Sequence, residues 1–228
     1  MQGLREVGPE LWVAERPLRV GGVELGSRAT IVRLPGGRLL LHSPVSLDAA
    51  LRRDLEALGE PSIAVAPNRL HHLFLGEYAA AYPGIRLYGA PGLAEKRRDL
   101  RFHAVLGDDP PSDWAGLLEQ HLFRGLPFAN EVVFLHPSSR TLILCDLAFH
   151  IGAEAPLLTR LAFRLLGTYG RLGPTRTERM LIRNHARART SLEHILGWSF
   201  ERVIVAHGRI LERGGREALR EGFAWLLH

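Results

Sequence analysis

The chain has 228 residues, of which 46% are hydrophobic and 23% charged, with 29 Lys and Arg against 24 Asp and Glu for a net charge of +5. Those proportions are those of a folded globular protein, and no stretch reaches the roughly 20 unbroken apolar residues that a membrane span needs. The single cysteine, Cys145, excludes an intramolecular disulfide and any cysteine-based zinc cluster. The start, MQGLREVGPELW, has neither the basic nor the apolar region of a secretory leader, so a cytoplasmic protein is expected. Arginines are interleaved with acids rather than gathered with aromatics, which argues against a nucleic-acid groove. The densest basic stretch, RTERMLIRNHARAR (176–189), reads first as a solvated helix face and second as a surface for an anionic partner.

In chain order, LWVAERPLRV, ELGSRATIVRL and RLLLHSPV read as strands, the last two joined by a Pro-Gly-Gly turn. DAALRRDLEALG has apolar residues three and four apart and a closing glycine, the pattern of an amphipathic helix. SIAVAP is a short buried strand, HHLFLGEYAAAYPG a helix stopped by Pro-Gly, IRLYGAP a strand and GLAEKRRDL a short helix. After the loop GDDPPSDWAG, LEQHLFRG, EVVFLH and RTLILCDL return to strand, with a Pro-Ser-Ser turn between the last two. The pattern is helical from 154 to 198, RVIVAHG is a last strand, and GGREALREGFAWLLH a terminal helix. Strand–helix alternation around a central hairpin predicts two mixed sheets with helices outside them.

Four apolar strands end in residues suited to metal or proton chemistry: His42, the pair His71-His72, Asp146 and His207. Sites in layered α/β proteins form at the carboxyl ends of strands, so these residues are candidates for one pocket. Imidazole nitrogen and carboxylate oxygen suit zinc, manganese or iron. Each also has a plainer reading, as a strand cap, a turn residue or a satisfied buried histidine. Adjacent histidines point in different directions, so His71 and His72 are not both expected on one metal. Glu131 in FANEVVF and His150, four residues after Asp146, are weaker candidates.

The stretches WVAERPLRVGGVELGSRATIVRL, LLHSPVSL, VAPNRLHHLFLGEYAAAYP, APGLAEKR, NEVVFLHPSSRTLILCDLAF and RVIVAHG resemble the metallo-β-lactamase superfamily, and most closely its uncharacterised DUF4336 branch. The resemblance implies a four-layer αββα sandwich formed by residues 1–228 as one domain, and the apolar, arginine-bearing LLTRLAFRLLGTYGRLGPT in the helical insertion at about 150–200 reads as a lid or dimer surface. It places PNRLHH at the superfamily's His-x-His-x-Asp-His motif, with Pro67 and Arg69 where two histidines belong and His71 in place of the aspartate. The lone histidine expected before Asp146 has no counterpart in LPFANE, and the usual Asp-x-Gly turn is His42-Ser43-Pro44. His72, Asp146 and His207 match retained ligand positions. The resemblance therefore implies one ion, zinc or else manganese or iron, on His71 or His72 with Asp146 and His207, rather than a two-metal centre.

A cation held by three protein ligands keeps a position open for water and lowers its pKa toward 7, which predicts hydrolysis of a small-molecule ester, thioester, lactone or phosphoester. His42 or His71 is then the candidate to orient the water or relay its proton. Two further readings remain open. One is a fold that has lost its metal and its catalysis and acts as a binding or scaffold module. The other is an iron oxidoreductase.

Overall fold

The computed structural model describes residues 3–227. Seven strands form the first sheet, in the order β1-β2-β5-β6-β7-β8-β9: β1 (Arg5–Gly8), β2 (Leu11–Arg16), β5 (Ser27–Arg33), β6 (Arg38–His42), β7 (Glu60–Ala66), β8 (Arg86–Gly89) and β9 (Ala104–Val105). Between β2 and β5 the chain makes a two-stranded hairpin of β3 (Arg19–Val20) and β4 (Val23–Glu24). The second sheet is β10 (Glu119–Leu122), β11 (Val132–His136), β12 (Thr141–Ile143) and β13 (Arg202–Ile204), in that order. Both sheets are mixed, as predicted. β6, β7, β8 and β9 run parallel in the first, and β12 and β13 run parallel in the second.

Alternation along the strands places one apolar layer between the sheets. Val13, Val32, Leu40, Ile63, Val65 and Tyr88 of the first sheet pack there against Phe134, Ile143 and Ile204 of the second. The opposite face of the first sheet is covered by α1 (Ala49–Leu58), through Leu51 and Leu55, and by α2 (Leu75–Ala81), through Leu75 and Tyr78. The outer face of the second sheet receives α5 (His185–Gly197), α6 (Gly215–Gly222) and α7 (Ala224–Leu227), which contribute Leu192, Ile195, Leu219 and Leu226. The layers are helix, sheet, sheet, helix. Two more helices, α3 (Leu157–Leu166) and α4 (Arg176–Leu181), lie in the segment between β12 and α5. Among the described residues no helix is long and apolar enough to cross a membrane.

Local sequence explains most of these boundaries. α1 begins where the Asp48 carboxylate accepts from the Leu51 amide and ends at Gly59, and α4 opens with a capping box between Thr175 and Glu178. Two expected helices differ. HHLFLGEYAAA becomes helical only at Leu75, because the Asn68 side-chain oxygen accepts from the amides of Leu70 (2.9 Å) and His71 (2.8 Å) and holds the start of the segment as a turn. GLAEKRRDL is a series of turns rather than a helix: its amides reach back three residues, from Leu93 to Ala90 and from Lys96 to Leu93, and the Arg97 guanidinium is drawn to Asp99 and the His72 carbonyl. The C-terminal helix is divided at Phe223 into α6 and α7.

Candidate metal centre

Parallel neighbours end at the same edge of a sheet, so the C-terminal ends of β6 and β7 emerge beside one another, as do those of β12 and β13. The residues that follow these four strands supply the site. Ser43 comes directly after β6, Asn68 and His71 after β7, Asp146 after β12 and His207 after β13. His71, Asp146 and His207 offer donor atoms that all lie within 4.8 Å of one another. His71 Nε2 is 3.2 Å from Asp146 Oδ2, and His207 Nε2 is 3.5 Å from Asp146 Oδ1. A tetrahedral cation about 2 Å from each donor separates its ligands by about 3.3 Å; the two short spacings are close to this but run to different oxygens of Asp146.

The orientation of the rings is set from behind. His207 Nδ1 is 2.6 Å from the Gly26 carbonyl oxygen, which can only accept, so Nδ1 carries a proton and Nε2 is the nitrogen turned toward Asp146. His71 Nδ1 is 2.6 Å from the Ser43 hydroxyl. Ser43 has φ 54°, a left-handed backbone that a non-glycine residue seldom adopts, and its amide donates to the Val65 carbonyl at 2.9 Å. The ring of Phe149 stacks on His207 with centroids 5.7 Å apart. A backing partner on the second ring nitrogen is what orients metal-binding histidines in general.

Asp146 is held as firmly. Its Oδ2 accepts from the Asn68 amide nitrogen at 2.8 Å, and that nitrogen also donates to Glu131 Oε2 at 3.0 Å. Glu131 is itself fully enclosed. Its Oε1 accepts from the Cys145 amide (2.7 Å) and its Oε2 from the amides of Asp146 (2.7 Å) and Leu147 (3.0 Å). One buried carboxylate thus fixes the turn that presents another. Burial opposes charge on Asp146, but His71 and His207 outweigh it and hold its carboxyl below the ordinary range. Burial and the Asp146 charge act on Glu131 in the opposite sense and raise its pKa. On His71, burial disfavours the cation, while the ionised Asp146 beside the ring favours it and its pKa is raised. Burial pushes the Cys145 thiol up to about 11, so it is neutral at physiological pH.

The other candidates lie around this group rather than in it. His72 lines the same cavity, but its Nδ1 is 3.1 Å from Arg97 Nη1, and its backbone carbonyl accepts from the same nitrogen at 2.8 Å. His42 points between the sheets, edge-on to Phe134 with centroids 5.0 Å apart, and its Nε2 has no hydrogen-bond partner among the described residues. Burial, and secondarily His71, lower its pKa to about 3, so it is neutral at physiological pH. His150 faces Arg209, 3.2 Å from its carbonyl oxygen. Four residues that the sequence reading did not single out do the positioning: Gly26, Ser43, Asn68 and Arg28. The Arg28 guanidinium joins the sheets by donating to the carbonyls of Val205 and Gly208 while pairing with Glu15 at 2.8 Å, which anchors the segment bearing His207. Gly208 has φ +94°, and any side chain there would run into the His150 carbonyl.

A cavity of about 360 Å³ opens onto the three donors. Its walls are mainly apolar, formed by Leu18, Val20 and Leu25 of the hairpin region and by Leu70, Leu73, Phe74 and Phe149 opposite, with Lys96 as its cation.

Two facing mixed sheets with outer helices are the architecture of the metallo-β-lactamase fold. Solved structures bear this out. A metallo-β-lactamase from Pontibacter korlensis superposes with a TM-score of 0.66 at 14% identity, over 98% of this chain and 97% of that one. VMB-1 gives 0.68 at 13% identity, over 98% and 95%. FIM-1 from Pseudomonas aeruginosa, in its mono-zinc form, gives 0.62 at 14%, over 98% and 92%. At these identities the likeness is one of fold. No protein-family model matches the chain, and no curated protein does.

Proposed function

We propose that the protein is a metal-dependent hydrolase that holds one divalent cation, zinc or a similar ion, on His71, Asp146 and His207. The observation that carries this reading is the fixed direction of the imidazoles. With its Nδ1 proton committed to the Gly26 carbonyl, His207 turns its Nε2 toward a buried carboxylate. Two lone pairs facing each other out of water are repulsive unless a cation or a proton lies between them. The donor set is that of a zinc site, and FIM-1, a protein of the same fold, has a mono-zinc form. When bound, such a cation supplies Lewis acidity and makes a water molecule acidic enough to act as a nucleophile near neutral pH.

The protein's own side chains supply the rest. Ser43 and the Gly26 carbonyl keep the two imidazoles from rotating, and Glu131 with Asn68 keeps Asp146 facing them. The apolar walls exclude water around an ester or thioester whose body is hydrophobic, and Lys96 offers an anionic substituent an ion-pairing partner. His42, buried and neutral beside this group, can contribute by polarity and not by carrying a proton near pH 7. The DUF4336 resemblance and a cytoplasmic location belong to the same proposal.

A second reading has a specific observation behind it. Pro67 and Arg69 occupy two positions where the superfamily resemblance expects histidines, which favours a binding module without turnover. Metal content separates the two. Protein purified without an affinity tag and analysed by elemental mass spectrometry should carry close to one equivalent of a divalent metal, lost in Asp146→Ala. Wild-type protein that takes up no metal from a zinc, manganese or iron solution would rule the hydrolase out.

A further inference from the structure

The net charge of the protein is not spread over it. Between Leu157 and Arg183 there are six arginines, at 160, 164, 171, 176, 179 and 183, and one acid, Glu178. The other positions hold 23 basic and 23 acidic residues, so this segment carries the whole +5. Its one carboxylate is used internally, accepting from the amide and hydroxyl of Thr175 in the cap of α4. Elsewhere the surface arginines commonly have carboxylate partners, as Arg33 has Glu10 and Arg202 has Glu212. Among the described residues none of these six has one within 4.0 Å. Arg171 donates to the Gly167 carbonyl at the end of α3, where Arg176 also approaches, and the half-buried Arg179 lies over the Trp225 ring, 5.0 Å from its centroid, close enough to both to feel their charge. The guanidinium of Arg164 lies over the Tyr169 ring, 4.2 Å from its centroid.

The same segment exposes its large apolar side chains. On α3, Thr159 and Phe163 face inward, while Leu157, Leu158, Leu161 and Leu165 are 62%, 58%, 47% and 76% exposed. Met180 on α4 is 83% exposed. The helix is therefore amphipathic in the ordinary sense on its inner side and apolar again on its outer side, with arginines between the leucines. This face continues onto the β3–β4 hairpin: α3 packs on β4, the Thr159 hydroxyl donates to the Glu24 carbonyl at 2.7 Å, and Val20 at the hairpin is 55% exposed.

We infer that the α3–α4 face docks the protein on an anionic phospholipid surface. Exposed leucines and methionine supply the apolar insertion that interfacial helices use, and a cluster of arginines with no counter-charge supplies the attraction to acidic headgroups. The charge complementarity selects this occupant. A second copy of the chain would bring the same uncompensated arginines into contact with themselves, and a nucleic acid would leave the leucines in water. The inference does not depend on the metal centre.

Vesicle co-sedimentation of the full chain tests it, with phosphatidylcholine vesicles against phosphatidylcholine vesicles containing phosphatidylglycerol. The expected result is partition onto the anionic vesicles at low salt, little onto the neutral ones, and release when salt shortens the Debye length to about 3 Å. Each basic residue near such a surface contributes roughly a fivefold gain in partition, so Arg171→Gln/Arg176→Gln/Arg179→Gln should bind on the order of a hundredfold more weakly. Leu158→Ser/Leu161→Ser/Leu165→Ser, at exposed positions, should keep the wild-type melting temperature and also lose binding. Wild-type protein that stays in the supernatant with anionic vesicles at low salt overturns the inference. So does a chain that is dimeric by light scattering and becomes monomeric in the leucine variant without any vesicle binding. Salt-sensitive binding to DNA that the leucine variant retains, with no binding to vesicles, overturns it as well.

Discussion

The protein contains two clusters of one carboxylate and two imidazoles, and they are built to opposite ends. In the first, the Nε2 atoms of His71 and His207 converge on Asp146 from different strands. In the second, His121 and His194 stack face to face, centroids 4.2 Å apart and planes at 21°, with His121 Nδ1 3.2 Å from Asp108. Asp108 there is occupied by Arg124, at 2.6 Å and 3.0 Å, and by the Leu122 amide. The residue types are the same; the direction of the lone pairs is not. In the first cluster the backing partners take the far ring nitrogens and leave the near ones aimed at one point. In the second the near contact is between ring faces, which offer a metal no lone pair.

The largest contrast to test is metal uptake. Asp146→Ala should lose bound zinc altogether. Asp108→Ala should keep the wild-type metal content and cost about 1 kcal/mol of stability, since its ion pairs are half exposed. Elemental analysis of the two proteins, with urea denaturation of each, provides the comparison. Equal metal loss in both variants would mean that convergence is not what distinguishes the clusters.

Glu131→Gln is expected to come next. The variant puts an amide N–H₂ among backbone N–H donors from Cys145, Asp146 and Leu147, at a buried position. Leaving buried donors unpaired should cost about 2–4 kcal/mol, and loosening Asp146 should weaken metal binding by about 10- to 100-fold. Calorimetry for zinc affinity and a urea midpoint measure the two effects separately. An unchanged affinity in a destabilised protein would reduce Glu131 to a purely structural role.

The acid limb of stability sharpens the contrast from the other side. Burial, and next the neighbouring His194, lower the His121 pKa from 6.5 to about 4. In the unfolded chain the ring takes a proton near pH 6.5, and in the folded protein only near pH 4. The stability it contributes is therefore fully present above pH 6.5 and is lost as pH falls from there through 4, at most about 3 kcal/mol. His121→Phe should flatten the fall in urea midpoint between pH 7 and pH 4. A variant that loses stability over that range as steeply as wild type would refute the assignment.

How much of this could be read from sequence follows from which interactions are local. Strands with a polar residue at the C-terminal end point to Asp146 and His207, and the two-layer arrangement follows from their alternation with helices. That His71 rather than His72 lies beside Asp146 depends on Asn68, whose side chain keeps the segment out of helix for three further residues. Nothing in periodicity reveals that. Glu131 was legible as a carboxylate at a strand start, but its partners are amides 14 to 16 positions away. His42 ends a strand in the same way as His207, yet alternation turns it inward onto Phe134. Strand ends are local information; the direction of a ring is set by whatever faces it across the two sheets.

Ser43 gives the smallest effect and the finest distinction. It holds His71 Nδ1 at 2.6 Å while its own backbone is at φ 54°. Removing the hydroxyl in Ser43→Ala should weaken zinc binding by about tenfold, the lower end for an outer partner of a ligand, and leave the backbone strain in place. Ser43→Gly removes the hydroxyl and relieves the strain together, so it should bind zinc as weakly as the alanine variant yet be about 1 kcal/mol more stable than it. Paired melting curves and zinc titrations on the two variants decide the matter. If alanine and glycine proteins melt together, the left-handed turn carries no strain. If the two bind zinc as tightly as wild type, the hydroxyl does not orient His71, and the contrast with the stacked pair rests on His207 alone.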